Sequence, residues 1–234
     1  MPAPVRRLYR SLLTTAICLW PSVLVAGAVC VERGRVAIIA HRGAHDTAPE
    51  NTLAALERSI EVGLDYAEID VRTARDGILV IRHNALVDGL GPLPTLEEML
   101  RAARHRINLY LDVKQAEAEP LAALIRKTGM KLQTVVMGHP DLVARLRQLD
   151  PGIRTMTPAA PPDRLDSLLR DVRPTHLEFT RRNFSPAGIA AARAAGIIPF
   201  SSLVSGGWDS DQAVETVLDA GVCAIETDRP VQVK

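Results

Sequence analysis

VAIIAHRGAHDTAPENTLAALERSIEVGLDYAEIDVRTARDGILVIRH, residues 36–83, decides the fold. Val36 to Ala40 is a short, uncharged apolar run of strand type. An amphipathic stretch with helical spacing starts near Pro49 and stops at Gly63, and Leu64 to Asp70 is a second strand-like run. One helix between two short apolar strands is the parallel βαβ unit, whose strands are covered on both faces. After the second strand there is no room for a helix before the next apolar run, and Asp76-Gly77 is a hairpin signal. Taking Asp76 and Gly77 as the two loop residues places Asp70 directly opposite His83. The two-residue period of a strand puts Glu68 on the same face as Asp70.

The same rhythm continues outward. Strand candidates are Val36 to Ala40, Leu64 to Asp70, Ile107 to Val113, Gln133 to Gly138, Gly152 to Thr157, Thr175 to Thr180, Ile197 to Ser202 and Val222 to Asp228. Helices are predicted to begin near Pro49, Thr95, Glu119, Asp141, Asp163, Ser185 and Asp211, with Gly63, Gly129, Gly196 and Gly221 at stops. Eight strands alternating with helices predict an α/β fold of TIM-type (β/α)8 barrel class, with a short β-hairpin excursion after strand 2. An open doubly wound sheet is the alternative. It is weakened because no glycine-rich dinucleotide loop follows the first strand.

Composition excludes other classes. The chain has 234 residues, 28 Lys and Arg against 27 Asp and Glu, 47% hydrophobic residues and 3% aromatic residues. Near-neutral charge with that apolar content is neither a disordered chain nor a basic nucleic-acid coat, and so few aromatics cannot form a base-stacking strip. No nucleic-acid partner is expected, and no obligate protein partner. Arg6, Arg7 and Arg10 precede an uncharged stretch from Ser11 to Cys30 that closes on Ala26 and Ala28. This is the layout of a signal peptide, residues 1–28, ahead of one domain, residues 29–234. Cleavage after Ala28 implies a secreted or periplasmic protein; a retained membrane anchor and a lipid-modified Cys30 are the alternatives. Cys30 and Cys223 remain after cleavage. They lie by strands that become neighbours when a barrel closes, so a Cys30–Cys223 disulfide is expected in an oxidising compartment.

The run HRGAHDTAPENT from His41, then Glu68 and Asp70, Asp76-Gly77 and His83, resembles the signature of the glycerophosphodiester phosphodiesterase family. PTLEEML at 94–100, LDVK at 111–114 and GVCAIETDRP at 221–230 extend the resemblance over most of the domain. The resemblance implies hydrolysis of a small-molecule glycerophosphodiester to glycerol 3-phosphate and an alcohol. It implies His41 and His83 as acid and base, Glu68, Asp70 and Asp112 as ligands of one divalent cation, and Arg42 and Lys114 as phosphate contacts. It also implies attack by the glycerol 2-hydroxyl through a cyclic phosphate later opened by water; direct attack by water is the alternative. The residues agree independently: carboxylates at strand ends form a hard oxygen site suited to Mg²⁺ or Ca²⁺. Two imidazoles can take and give protons near neutral pH.

The pattern departs from the family in three places. Asn84 stands where the family has Asp. Only ALVDGLGP joins Asn84 to the next helix, where the family carries an insertion. FSSLVSGGW at 200–208 replaces a Trp-containing motif. These changes leave two alternatives beside the main reading. One is lysophospholipase D-like cleavage of a lipid headgroup diester, with the membrane as the source of substrate. The other is a non-catalytic barrel that binds phosphate esters. Glu50 and Asn51 are read as caps of the first helix. His139 is a candidate pocket residue, and Trp208 either contacts substrate or packs loosely.

Overall fold

A computed structural model describes residues 36–87, 91–204 and 206–234. Its strands are β1 (Ala37–Ala40), β2 (Tyr66–Thr73), β3 (Leu79–Ile81), β4 (Asn108–Gln115), β5 (Thr134–Met137), β6 (Arg154–Pro158), β7 (His176–Thr180), β8 (Ile198–Ser202) and β9 (Ala224–Thr227). The helices are α1 (Leu53–Glu61), α2 (Leu96–Ala103), α3 (Ala118–Lys127), α4 (Pro140–Leu149), α5 (Pro162–Asp171), α6 (Pro186–Ala194), α7 (Asp211–Asp219) and the short α8 (Pro230–Val233). Eight strands pair in parallel in the order β1-β9-β8-β7-β6-β5-β4-β2, and β1 pairs back to β2, which closes the barrel. The expected eight-stranded α/β barrel is the observed one. No described helix is long and apolar enough to cross a membrane. The predicted signal peptide and Cys30 lie outside the described residues; Cys223 is disulfide-bonded.

Side-chain alternation separates two apolar compartments. Ala37 and Ile39 of β1, Tyr66 of β2, Tyr110 of β4, Met156 of β6, Phe200 of β8 and Ala224 of β9 fill the barrel interior. Their strand neighbours Ile38, Ala40, Ala67, Ile69, Leu109 and Leu111 face outward and pack with Leu56, Met99, Leu100 and Leu121 of the covering helices. Each fully buried Leu, Ile, Met or Phe among them stabilises the fold by ~1.5–3 kcal/mol relative to exposure. Capping agrees with the expected starts at Thr95 and Ser185: the Thr95 hydroxyl accepts from Glu98 N in a capping box, and the Ser185 hydroxyl accepts from Gly188 N.

Two local expectations are corrected. First, α1 starts at Leu53 with Thr52 as its N-cap, so Glu50 and Asn51 are not caps. Asn51 has φ 59 and turns the chain ahead of the helix. Second, the hairpin has a three-residue loop. Ala74 N donates to Ile78 O at 2.8 Å, Gly77 has φ 84, and Thr73 pairs with Leu79. A glycine in the left-handed region closes a three-residue hairpin loop. The register is therefore shifted by one, and Arg82 N, not that of His83, donates to Asp70 O at 2.9 Å.

Candidate active site

Toward the C-terminal ends of the strands, the inward positions change from apolar to polar. Ile39 is followed by His41, Tyr66 by Glu68 and Asp70, Tyr110 by Asp112 and Lys114, and Ala224 by Glu226 and Asp228. The parallel register of β2 and β4 sets Asp70 beside Asp112. Glu68, Asp70 and Asp112 each offer a carboxylate oxygen within 4.8 Å of the others. His41, Glu68 and Glu226 form a second such group, and His41, His45 and Asp228 a third. The barrel mouth thus collects side chains from β2, β4 and β9 around the end of β1.

The turn after β1 makes this convergence possible. Arg42 and Gly43 both have positive φ, 53 and 79, and Gly43 N donates to Ala40 O at 3.1 Å. A Cβ on Gly43 would lie 2.8 Å from Ala55 Cβ and 2.9 Å from Ala55 C, so α1 packs against a position only glycine can fill. The left-handed Arg42 is held by three sets of contacts. Its N–H donates to Glu68 Oε2 at 2.7 Å, its carbonyl accepts from Asn51 N at 2.9 Å, and its Nη1 reaches both Glu50 oxygens at 2.8 and 2.9 Å. Strain of about 1–3 kcal/mol at such a residue persists only where the surroundings hold it.

Asp70 is as enclosed as Glu68. It is 1% exposed, its Oδ2 accepts from Asn51 Nδ2 at 2.7 Å, and its own N–H donates to Asn51 Oδ1 at 3.0 Å. Arg42 Nε lies 3.3 Å from Oδ2 and Lys114 Nζ lies 3.1 Å from Oδ1. Lys114 also donates to Asp112 Oδ2 at 2.6 Å. Burial lowers the Lys114 pKa, but the Asp112 and Asp70 charges outweigh it and hold the ammonium above its ordinary value. Both predicted phosphate contacts are thus paired with site carboxylates.

Glu68 is pushed well above the usual carboxylate range by burial, with the fields of Glu226, Asp70 and Asp112 adding to it. Its Oε1 is buried with no hydrogen-bond partner. Burial likewise raises Glu226, against an opposing pull from His41. Glu178 on β7 accepts from Tyr110 Oη at 2.9 Å and is raised to about 8, by burial first and Glu226 second. His41 Nδ1 lies 2.7 Å from Asp228 Oδ1. Burial pulls the His41 pKa down, but the Asp228 bond and the Glu226 and Asp228 charges leave it raised. The same bond lowers Asp228.

His83 is placed differently. Its ring Nδ1 meets Asn84 Oδ1 at 3.1 Å, and its carbonyl accepts from Arg72 Nε and Nη2 at 3.1 and 2.8 Å. His139 is exposed and caps α4, accepting from Asp141 N at 3.4 Å. Trp208 packs edge-on against Phe184 with centroids 5.3 Å apart. Sequence reasoning missed Asn51, Glu226 and Asp228. A signal existed for two of them: Glu226-Thr227-Asp228 repeats the acidic spacing of Glu68-Ile69-Asp70, on the strands that flank β1.

Residues 41–99 match the family model described as "Glycerophosphoryl diester phosphodiesterase family". "Glycerophosphodiester phosphodiesterase 1" of Mus musculus is 32% identical over 126 residues, 50% of this chain and 38% of that protein. A "Glycerophosphodiester phosphodiesterase" of Caldanaerobacter subterraneus is 49% identical over 51 residues, 22% of this chain and 21% of that protein. The mouse, bovine and human relatives are matched over 38% to 50% of their own length. A solved glycerophosphodiester phosphodiesterase from Agrobacterium tumefaciens superposes with TM-score 0.71 at 28% identity, covering 86% of this chain and 100% of that one. An Oleispira antarctica phosphodiesterase, solved in complex with the product sn-glycerol-3-phosphate, shares the fold with TM-score 0.71 at 22% identity, covering 84% of this chain and 94% of that one. The family resemblance read from the motifs is borne out.

Proposed function

We propose that this chain, which resembles the glycerophosphodiester phosphodiesterases in motif and fold, hydrolyses a glycerophosphodiester to glycerol 3-phosphate and an alcohol. The observation that carries the reading is the grouping of Glu68, Asp70 and Asp112 at the barrel mouth, with His41 set against Asp228 beside them. The relatives' names and the product in the Oleispira antarctica structure support the substrate class.

The donor set fits a hard divalent cation, Mg²⁺ or Ca²⁺. Three carboxyl groups converge, and Glu68 Oε1 is a buried oxygen without a partner whose ionised form is costly unless a cation meets it. Glu68, Asp70 and Asp112 would hold the ion, which when bound absorbs charge developing on the phosphoryl oxygens. Lys114 and Arg42 stand beside the same acids and add positive charge toward a phosphodiester. His41 donates Nδ1–H to Asp228 and so presents the Nε2 lone pair as the base for the attacking hydroxyl. His83, assigned by the family likeness, supplies the proton to the departing alkoxide. Asn51 locks Asp70 by two hydrogen bonds, and Asp228 orients His41.

A second substrate reading, a lipid headgroup diester, is favoured by one feature. On the hairpin side a groove of about 430 Å³ is lined in part by Ala74, Ala85, Leu86 and Ala116. Ile78 and Val87 are exposed at 48% and 62% on the same side of the barrel. The test is release of glycerol phosphate from glycerophosphocholine, with lysophosphatidylcholine as the parallel substrate, using Mg²⁺, Ca²⁺ or chelator and the variants His41→Ala and His83→Ala. Chelator-sensitive release lost in both variants is expected. Turnover of neither substrate with any cation would overturn the reading, and turnover of the lipid alone would select the second substrate.

A further inference from the structure

The turn after β1 brings His45 back toward His41, and the pair reads H-x-x-x-H in the sequence. Asp228 Oδ1 stands between them, 2.7 Å from His41 Nδ1 and 3.4 Å from His45 Nε2. All three side chains reach solvent, with exposures of 18%, 29% and 44%. Two imidazoles and one carboxylate form a different donor set from Glu68, Asp70 and Asp112. Imidazole selects borderline cations such as Zn²⁺, whereas an all-oxygen set selects Mg²⁺ or Ca²⁺. In a tetrahedral zinc site with bonds near 2.0–2.1 Å, neighbouring ligand atoms stand about 3.3 Å apart. The His45–Asp228 spacing already matches that, and the His41–Asp228 spacing needs to open by roughly half an ångström.

We propose that His41, His45 and Asp228 form an inhibitory site for a zinc-like transition-metal cation at the rim of the barrel, separate from the carboxylate site at its mouth. The inhibition follows from the two nitrogens of one ring and rests on the reading of His41 as the base. A neutral imidazole carries one N–H and one lone pair. With Asp228 accepting from Nδ1, the lone pair is on Nε2. A cation on Nδ1 takes the lone pair there, so the ring's single proton must sit on Nε2. His41 then has no lone pair to accept a proton from the attacking hydroxyl. Binding of the cation and loss of the base are the same event, and no bond to substrate is involved.

The experiment uses the purified chain in excess Mg²⁺, which occupies the oxygen site, and compares wild type with His45→Ala and His45→Gln. Zn²⁺ binding is measured by calorimetry, Co²⁺ by its visible absorption, and hydrolysis of glycerophosphocholine in parallel. Wild type is expected to bind one Zn²⁺ that Mg²⁺ does not displace, with loss of hydrolysis on the same titration. Loss of even an outer-shell partner weakens metal sites about 10–100-fold, so both His45 variants should bind Zn²⁺ at least 10-fold more weakly. Their Mg²⁺-supported hydrolysis should persist and resist Zn²⁺ by the same factor. Equal Zn²⁺ affinity in wild type and both variants, or no Zn²⁺ retained against Mg²⁺, overturns the site. Retained binding with undiminished hydrolysis overturns the inhibition. If no hydrolysis is found at all, the binding and absorption measurements still decide the site, and only the proposed reaction fails.

Discussion

Replacing Asp228 with Asn removes the charge that faces His41 Nδ1 while keeping an oxygen that can accept from it. A hydrogen bond with a charged partner contributes about 1.5–3 kcal/mol, and the 44% exposure of the Asp228 side chain argues for the lower end. Losing that charged partner should lower the His41 pKa in Asp228→Asn. The structure sets the direction: burial already pulls His41 down, and the Asp228 bond leads the opposing contributions. The base must be neutral, so the acid limb of the kcat/KM profile should move to lower pH. The plateau should fall about 10-fold or more, within the ~10²–10⁴-fold reach of general acid–base catalysis. Stability follows the same pair. Raised His41 stabilises the fold fully below pH 6.5 and loses that contribution as pH rises through its folded pKa. Lowered Asp228 contributes above its usual 3.8 and loses that contribution as pH falls through its folded pKa. The melting-temperature gap between wild type and variant should therefore be widest at about pH 5–6. A slower variant whose acid limb has not moved, or has moved upward, would refute the assignment of His41 as an Asp228-oriented base.

Asn51→Ala should unlock Asp70, leaving its buried N–H without the Asn51 oxygen at 3.0 Å. A loss of about 1–3 kcal/mol in thermal unfolding is expected. Mg²⁺ affinity by calorimetry should fall about 10–100-fold; unchanged affinity would show that Asn51 does not position Asp70 for the ion. His176, buried in the barrel and edge-on to Phe200 at 5.0 Å, is held down to about 3 by burial and by Arg154. The unfolded chain takes up its proton near pH 6.5 and the native chain does not, so this residue costs stability as pH falls through that range. Between pH 7 and pH 5 the cost is about 2 kcal/mol by linkage. His176→Phe keeps a ring against Phe200 and removes the proton, so denaturant titrations should show a pH 7 to pH 5 loss smaller by that amount; an equal loss would place the acid sensitivity elsewhere.

The period-two alternation carried part of the site. The two-residue period set Glu68 and Asp70 on one face; Asp112 and Lys114 came from the family likeness, and the inward alternation after Tyr110 is consistent with both. Asn51 and Glu50 were misread because short polar groups before a helix ordinarily cap it. Here Asn51 adopts positive φ, Thr52 takes the cap, and both earlier residues turn back onto Asp70 and Arg42. That choice depends on partners 8 and 19 positions away, which no local propensity contains.

The hairpin and the β9 wall failed for different reasons. A hairpin's register depends on its loop length, and one residue of slip exchanges the faces of the whole strand. Asp76-Gly77 is compatible with a two-residue or a three-residue loop. Only the pairing of Thr73 with Leu79 decides for the second and seats Arg82, not His83, against the Asp70 backbone. The β9 acids went unassigned although their spacing repeats that of β2, because nothing local to them points at His41. Glu226 and Asp228 come near His41 because Ala37 to Ala40 pair with Ala224 to Thr227, a contact across more than 180 positions. The consequence is chemical. The acid spacing of β2 holds a pair near the predicted cation site, and the same spacing on β9 sets Glu226 and Asp228 around His41. A barrel built from two such strands flanking β1 gives the histidine a field that neither strand would reveal alone.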